Sequence, residues 1–206
     1  MRLLAFDTTG DRLSLALDDG KKVRRRLERV GRDQDEMFPG AADRLLKSAG
    51  LKLSDIDAFV AASGPGRFTG IRVGLTYAAV LAKTLGKKAV GVSWLEACAW
   101  KAPASARLVV AVVPGWKGES FFQVFRRGED GPQPVQPPGW AAPERLAQAV
   151  KESAGGEEAL VLEDKTLSAA DLLAPAKARL ASGRLEELAP LYIKPPHYEK
   201  PAVPRP

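Results

Sequence analysis

With a single cysteine, Cys98, and a single histidine, His197, the chain has little with which to hold a metal or run redox chemistry. One cysteine cannot close an internal disulfide and fits a reducing compartment. No histidine stands near Cys98 in sequence, so a small buried residue on a helix is its expected role, not a nucleophile. His-ligated metal sites use two or more imidazoles at fixed spacing, and a Ser–His–Asp triad needs a histidine held in the fold. His197 lies instead in a proline-rich tail, where a solvated side chain is expected. Long hydrophobic runs are missing too: nothing approaches the ~18 apolar residues of a membrane-spanning helix. The opening residues Met1 to Phe6 lead straight into Asp7, without the apolar core and cleavage site of a signal peptide. A cytoplasmic protein with no membrane contact is expected.

The chain has 206 residues, 45% apolar and 27% charged, which fits one domain or two small ones. Its net charge of +6 is uneven: residues 21–32, KKVRRRLERVGR, hold seven basic side chains and one acidic. One reading is a solvated edge strand whose charges discourage unwanted pairing. The other is a contact for an RNA backbone, carried by Arg24, Arg25, Arg26 and Arg29. No aromatic residue interrupts the run, so base stacking on a single strand is not supported.

Hydrophobic periodicity divides the chain in two. Arg2 to Asp7, Arg12 to Leu17 and the basic run read as an antiparallel meander with turns at Gly10 and Asp18-Asp19-Gly20. A helix from Gln34 to Ala49, a strand from Ala58 to Ala62, a helix from Gly70 to Leu85, a strand from Ala89 to Val92 and a helix from Trp94 to Trp100 follow. The order βββαβαβα implies parallel pairing after the meander, a ribonuclease H-like α/β lobe over residues 1–101. Residues 102–190 read as a smaller, abbreviated copy. It has a hairpin over Arg107 to Arg126, a Pro-rich loop over Gly128 to Pro143, and helices at Pro143 to Ser153 and Ser168 to Leu180. A strand at Ala159 to Glu163 lies between those helices. Residues 191–206 are expected to form an extended or disordered tail, since six prolines fall in the seventeen residues from Pro190.

The most informative stretch is residues 58–86, AFVAASGPGRFTGIRVGLTYAAVLAKTLG. The Gly64 to Gly70 turn tempts a phosphate-loop reading, but Ile71-Arg72 stand where the lysine and hydroxyl of GxxxxGK[ST] belong. A tight strand-to-helix reversal is the preferred role. The helix is apolar on nearly every side, with Gly70, Gly74, Ala78 and Ala82 spaced four apart. Such a stripe admits another helix closely, in the same fold or in a partner. The expected docking set is Met37, Phe38, Ala41 and Leu45 on the first helix, with Gly70, Arg72, Gly74, Tyr77, Ala78 and Ala82 on the second.

LLAFDTT near the start, SDIDAFVAASGPGRFTGIRVGL, GVSWLEACA and LAPLYIK together resemble the bacterial TsaB (YeaZ) family of threonylcarbamoyladenosine biosynthesis proteins, over nearly the whole chain. The resemblance implies the two-lobed actin-like (ASKHA) fold with duplicated mixed sheets and a protein without its own metal site. It implies pairing with the paralogue TsaD, which transfers threonylcarbamoyl from an adenylate to adenosine 37 of tRNA. It implies also the TsaE ATPase as a further partner, a homodimer through the same helices, and ATP or ADP at the shared surface without a cofactor required by this chain. The chain departs from the family pattern at Asp33-Gln34, at Arg67 and at Pro114-Gly115-Trp116-Lys117.

An actin-like phosphotransferase needs phosphate turns from both lobes and a carboxylate to manage magnesium. Asp7-Thr8-Thr9 sits where the first turn belongs, and two roles stand open for it: a weak, vestigial nucleotide contact, or a structural turn in which the Asp7 carboxylate accepts turn N–H groups. The second turn, Pro114 to Gly118, contains no carboxylate. A scaffold subunit without catalytic residues is therefore favoured, and a stand-alone actin-like ATPase or phosphotransferase is the alternative.

Overall fold

The computed structural model describes residues 1–29, 34–115, 118–183, 185 and 187–194. In the first lobe β1 (Leu3–Asp7), β2 (Arg12–Asp18) and β3 (Val23–Arg29) form the antiparallel meander. β1 then pairs in parallel with β4 (Ala58–Gly64), and β4 with β5 (Lys88–Ser93), giving the order β3-β2-β1-β4-β5. Composition explains the order: β1 and β4 are apolar along nearly their whole length and take the middle, where both faces are covered. The arginine-rich β3 takes the edge.

α1 (Gln34–Lys47) and α2 (Phe68–Leu85) cover one face of this sheet, enclosing Leu4, Phe6, Leu15, Phe59, Ile71 and Leu75. Gly86, in the left-handed region at φ +64°, ends α2. On the opposite face Leu3, Ala5, Val60 and Val92 pack on α3 (Trp94–Trp100), whose first turn is capped by Ser93 accepting from the Glu96 N–H at 3.0 Å.

The second lobe is built on β6 (Leu108–Pro114) and β7 (Ser120–Gly128), with β10 (Leu160–Glu163) parallel to β6. The span expected to be a Pro-rich loop holds two further strands, β8 (Gly131–Pro134) and β9 (Gly139–Ala141), both paired with β7. Pro132 and Pro134 hid β8 from propensity reasoning, and proline is tolerated there because β8 ends the sheet path β10-β6-β7-β8. α4 (Pro143–Ser153) covers the outer face. α5 (Leu173–Ser182) and the 3-10 turn Ala169–Leu172 return to lie with α3 between the two sheets. Among the bonds that tie this layer to the first lobe, the Ala169 N–H donates to Ser14 Oγ at 3.0 Å, Arg179 donates to the Gly91 carbonyl at 2.6 Å, and Lys177 pairs with Asp18. The architecture is the two-lobed, actin-like and ribonuclease H-like α/β fold with two mixed sheets.

Leu191 to Lys194 are extended but not a free tail. The Leu191 N–H donates to the Ser63 carbonyl at 2.8 Å. Lys194 pairs with Glu119 at 2.7 Å and lies 4.3 Å over the Trp140 ring. This strap fastens the second lobe to the first. Residues 195–206, His197 among them, lie outside the described residues.

Candidate functional site

At the joint between the β1–β2 turn and the start of α2, three glycines meet the turn too closely to carry a side chain. Asp7, at the end of β1, accepts the Thr9 N–H at 2.7 Å and the Thr9 hydroxyl at 2.6 Å on one oxygen, Oδ1. The Thr9 hydroxyl accepts from Trp94 Nε1 at 3.0 Å, and its carbonyl accepts the Arg67 N–H at 2.7 Å. The Thr8 hydroxyl donates to the Gly70 carbonyl at 2.6 Å. A Cβ on Gly66 would stand 2.6 Å from Thr9 Cβ, one on Gly70 2.0 Å from the Thr8 carbonyl oxygen, and one on Gly74 2.7 Å from Thr8 Oγ1. The glycines of this segment thus make room for the threonine turn, a more specific role than turning the strand into the helix.

The nucleotide contact expected at Asp7, Thr8 and Thr9 therefore meets a constraint. Both threonines are buried and both hydroxyls are engaged inside the joint, so neither is free to donate to a phosphate. Asp7 keeps a titratable role. Burial pushes its carboxyl up to about 6, with the Thr9 hydroxyl and N–H pulling the other way. In the facing turn of the second lobe the Gly115 N–H donates to the Glu119 carbonyl at 2.7 Å. Trp116 and Lys117 lie outside the described residues, as do Asp33 and the Gln34 side chain. Among the described residues no group of three His, Cys, Asp or Glu side chains gathers to hold a metal. Cys98 is buried, its thiol donating to the Leu162 carbonyl at 3.3 Å and pushed up to about 11 by burial.

The expected docking set divides. Phe38, Ala41, Leu45, Gly70, Gly74, Ala78 and Ala82 are buried within the lobe itself, so the small-residue stripe is not a bare surface. Gly70 and Gly74 face the threonine turn, and Phe38 pins α1 to the sheet and to α2 through rings 4.8 Å from Phe6 and 4.4 Å from Tyr77. Met37 and Arg72 are exposed, and Tyr77 is half-buried. The docking set expected from the sequence left out Phe68 and Val80, which are 42% and 54% exposed on the outward side of α2. Phe68 stacks on strap residue Tyr192 at 4.8 Å, with the Arg72 guanidinium 3.9 Å over the Phe68 ring and donating to the Tyr192 hydroxyl at 3.0 Å. Both aromatics lie in segments already singled out, FTG and LYIK, but nothing in a linear sequence joins positions so far apart.

The basic strand also divides. Arg24 pairs with Asp19, and Arg26 and Arg44 share the Glu28 carboxylate, which they hold below the usual range, Arg44 foremost. Arg25 and Arg29 point to solvent.

The family model described as TsaD, tRNA N6-adenosine threonylcarbamoyltransferase, matches residues 28–168. The tRNA threonylcarbamoyladenosine biosynthesis protein TsaB of Escherichia coli is 32% identical over 134 residues, 64% of this chain and 58% of that protein. A tRNA N6-adenosine threonylcarbamoyltransferase of a Chelativorans species is 38% identical over 81 residues, 39% of this chain and 22% of that enzyme. The matched stretch thus spans little more than half of the first curated relative and far less of the second. The solved structure of YeaZ from Pseudomonas aeruginosa superposes with a TM-score of 0.72 at 25% identity, covering 93% of this chain and 99% of that one. The chain belongs to the tRNA N6-adenosine threonylcarbamoyltransferase (TsaD) family and, within it, to the TsaB/YeaZ proteins.

Proposed function

We propose that this chain is a partner subunit without chemistry of its own, needed for threonylcarbamoyl transfer to adenosine 37 of tRNA and acting by binding TsaD. The observation that carries the reading is the joint at Thr8–Thr9. Where an actin-like phosphotransferase keeps an open phosphate turn, this chain packs threonine against glycine and engages both hydroxyls internally.

What the first lobe offers outward is the exposed side of α1 and α2, with Met37, Phe68, Arg72 and Val80. TsaD docks on that side, a second copy of the chain takes it when TsaD is absent, and the TsaE ATPase joins the pair. The chain itself needs no cofactor, and ATP or ADP binds at the shared surface. It works in the cytoplasm; no helix among the described residues is long and apolar enough to cross a membrane. Co-purification with TsaD, followed by reconstitution of the modification with and without this chain, tests the reading. Full modification in its absence would overturn it.

The alternative, a stand-alone ATPase, has Asp7 in its favour, a carboxyl at the end of β1 with a raised pKa. ATP turnover by the purified chain that vanishes in Asp7→Asn would establish it.

A further inference from the structure

We infer that the solvent-facing side of edge strand β3, carried by Arg25 and Arg29 with Arg12 beside them, is a contact surface for an RNA backbone. This rests on the tRNA-directed role proposed above. Alternation along a strand sorts the basic run into two sets. Arg24, Arg26 and Glu28 stand opposite Leu17, Leu15 and Leu13, on the face that α1 covers, and their charges are matched by Asp19 and Arg44. Val23, Arg25, Leu27 and Arg29 take the other face. There Arg29 stands opposite Arg12 and Arg25 opposite Ala16.

Arg12, Lys21, Lys22, Arg25 and Arg29 are all exposed. None is joined to a carboxylate within ion-pair distance among the described residues, whereas the neighbouring Arg24 and Arg26 are. Asp11 is the exposed acidic side chain beside Arg12. Same-face positions on a strand repeat every ~7 Å, so Arg25 and Arg29 stand roughly 13 Å apart in a row along the edge. A row of unmatched cations on a ridge suits a linear polyanion.

The exposed apolar residues on this face, Val23 and Leu27, are two side chains on a narrow edge strand. They fall short of the broad apolar face by which amphipathic helices enter a lipid interface. The strand carries no aromatic residue, so the contact is with phosphates: sequence-tolerant and salt-dependent.

The test is titration of an unmodified tRNA transcript with the full chain across a range of potassium chloride concentrations. Replacing Arg12, Arg25 and Arg29 together by Gln is expected to weaken binding about tenfold or more near physiological salt. It should also flatten the slope of log affinity on log salt by about 2, from 0.7–0.9 per phosphate contact. Arg24→Gln with Arg26→Gln should change that slope by less than about 0.5. Circular dichroism melts establish that each variant is folded. The inference falls if the parent chain does not bind the transcript, if the triple variant binds like the parent, or if the ion-paired set matters equally. It falls also if vesicles rich in phosphatidylserine, or an acidic polypeptide, bind this face and the tRNA does not. Reconstitution keeps the two readings apart. If modification needs the chain but the triple variant binds tRNA and supports it fully, only this inference fails. If modification does not need the chain while tRNA binding still depends on these arginines, only the proposed function fails.

Discussion

The carbonyl oxygen of Thr8 lies 2.0 Å from where a Cβ on Gly70 would stand, and the Thr8 hydroxyl donates to the Gly70 carbonyl at 2.6 Å. Turn and helix are thus interlocked from both sides, by a missing side chain and by a buried hydrogen bond. Gly70→Ala has no side-chain flexibility to absorb the clash, because the atom it meets is backbone. It is expected to destabilise the fold by at least the roughly 1–3 kcal/mol typical of overpacking. Thr8→Val keeps the volume but leaves the Gly70 carbonyl without that donor, a loss of about 1–2 kcal/mol. Urea unfolding of both variants measures this, and parent-like midpoints would refute the interlock.

Asp7 gives a pH dependence of unusual sign. Its folded pKa of about 6 lies above the ordinary value of 3.8, so between those values the folded state holds the proton more tightly than the unfolded chain. Its contribution is fully present below about 4 and is lost as pH rises through about 6, a change on the order of 2–3 kcal/mol. The ion-paired Glu28 and Asp164, held low, act in the opposite direction. The difference between the parent and Asp7→Asn isolates the term. Asp7→Asn should gain stability relative to the parent as pH rises from about 4 to 7.5, read by urea unfolding. A constant difference would show that Asp7 titrates normally.

The first lobe was legible in the sequence because its elements obey local rules: alternation in the meander, apolar central strands, and a glycine after each long helix. Packing was less legible than element type. Gly70, Gly74, Ala78 and Ala82 do form a close-approach stripe, but the sequence could not say that a threonine turn and the lobe's own sheet fill it. β8 was hidden by its prolines, and the strap by its tail-like composition. Phe68 pairs with Tyr192 across the whole chain, a contact that no window of local periodicity contains.

That distant pair makes the strap testable. Tyr192→Ala removes the ring stacked on Phe68 and the hydroxyl that accepts from Arg72. A loss of about 0.5–1.5 kcal/mol is expected, with the melting temperature lowered by roughly 2–4 °C. Because the strap crosses between lobes without strand pairing, the same variant should be cut faster by protease within residues 187–194. Unchanged proteolysis would mean that Leu191 and Lys194 hold the strap without it.

The docking face needs variants that keep the lobe folded, and the structure decides which those are. Gly74→Leu would drive a side chain into Thr8, so a lost partner could not be told from a lost fold. Val80 and Met37 are exposed and can take a charge with little effect on stability, within about 0.5 kcal/mol. If TsaD covers them, Val80→Glu buries an unpaired carboxylate in an apolar contact. Affinity for TsaD should then fall by about 2 kcal/mol or more, roughly thirtyfold, and Met37→Glu should act in the same direction. Melting temperatures of the isolated variants should match the parent, while pull-down and calorimetric titration with TsaD lose signal. Undiminished binding by both folded variants would place the transferase elsewhere on the chain and leave the outer side of α1 and α2 without this role.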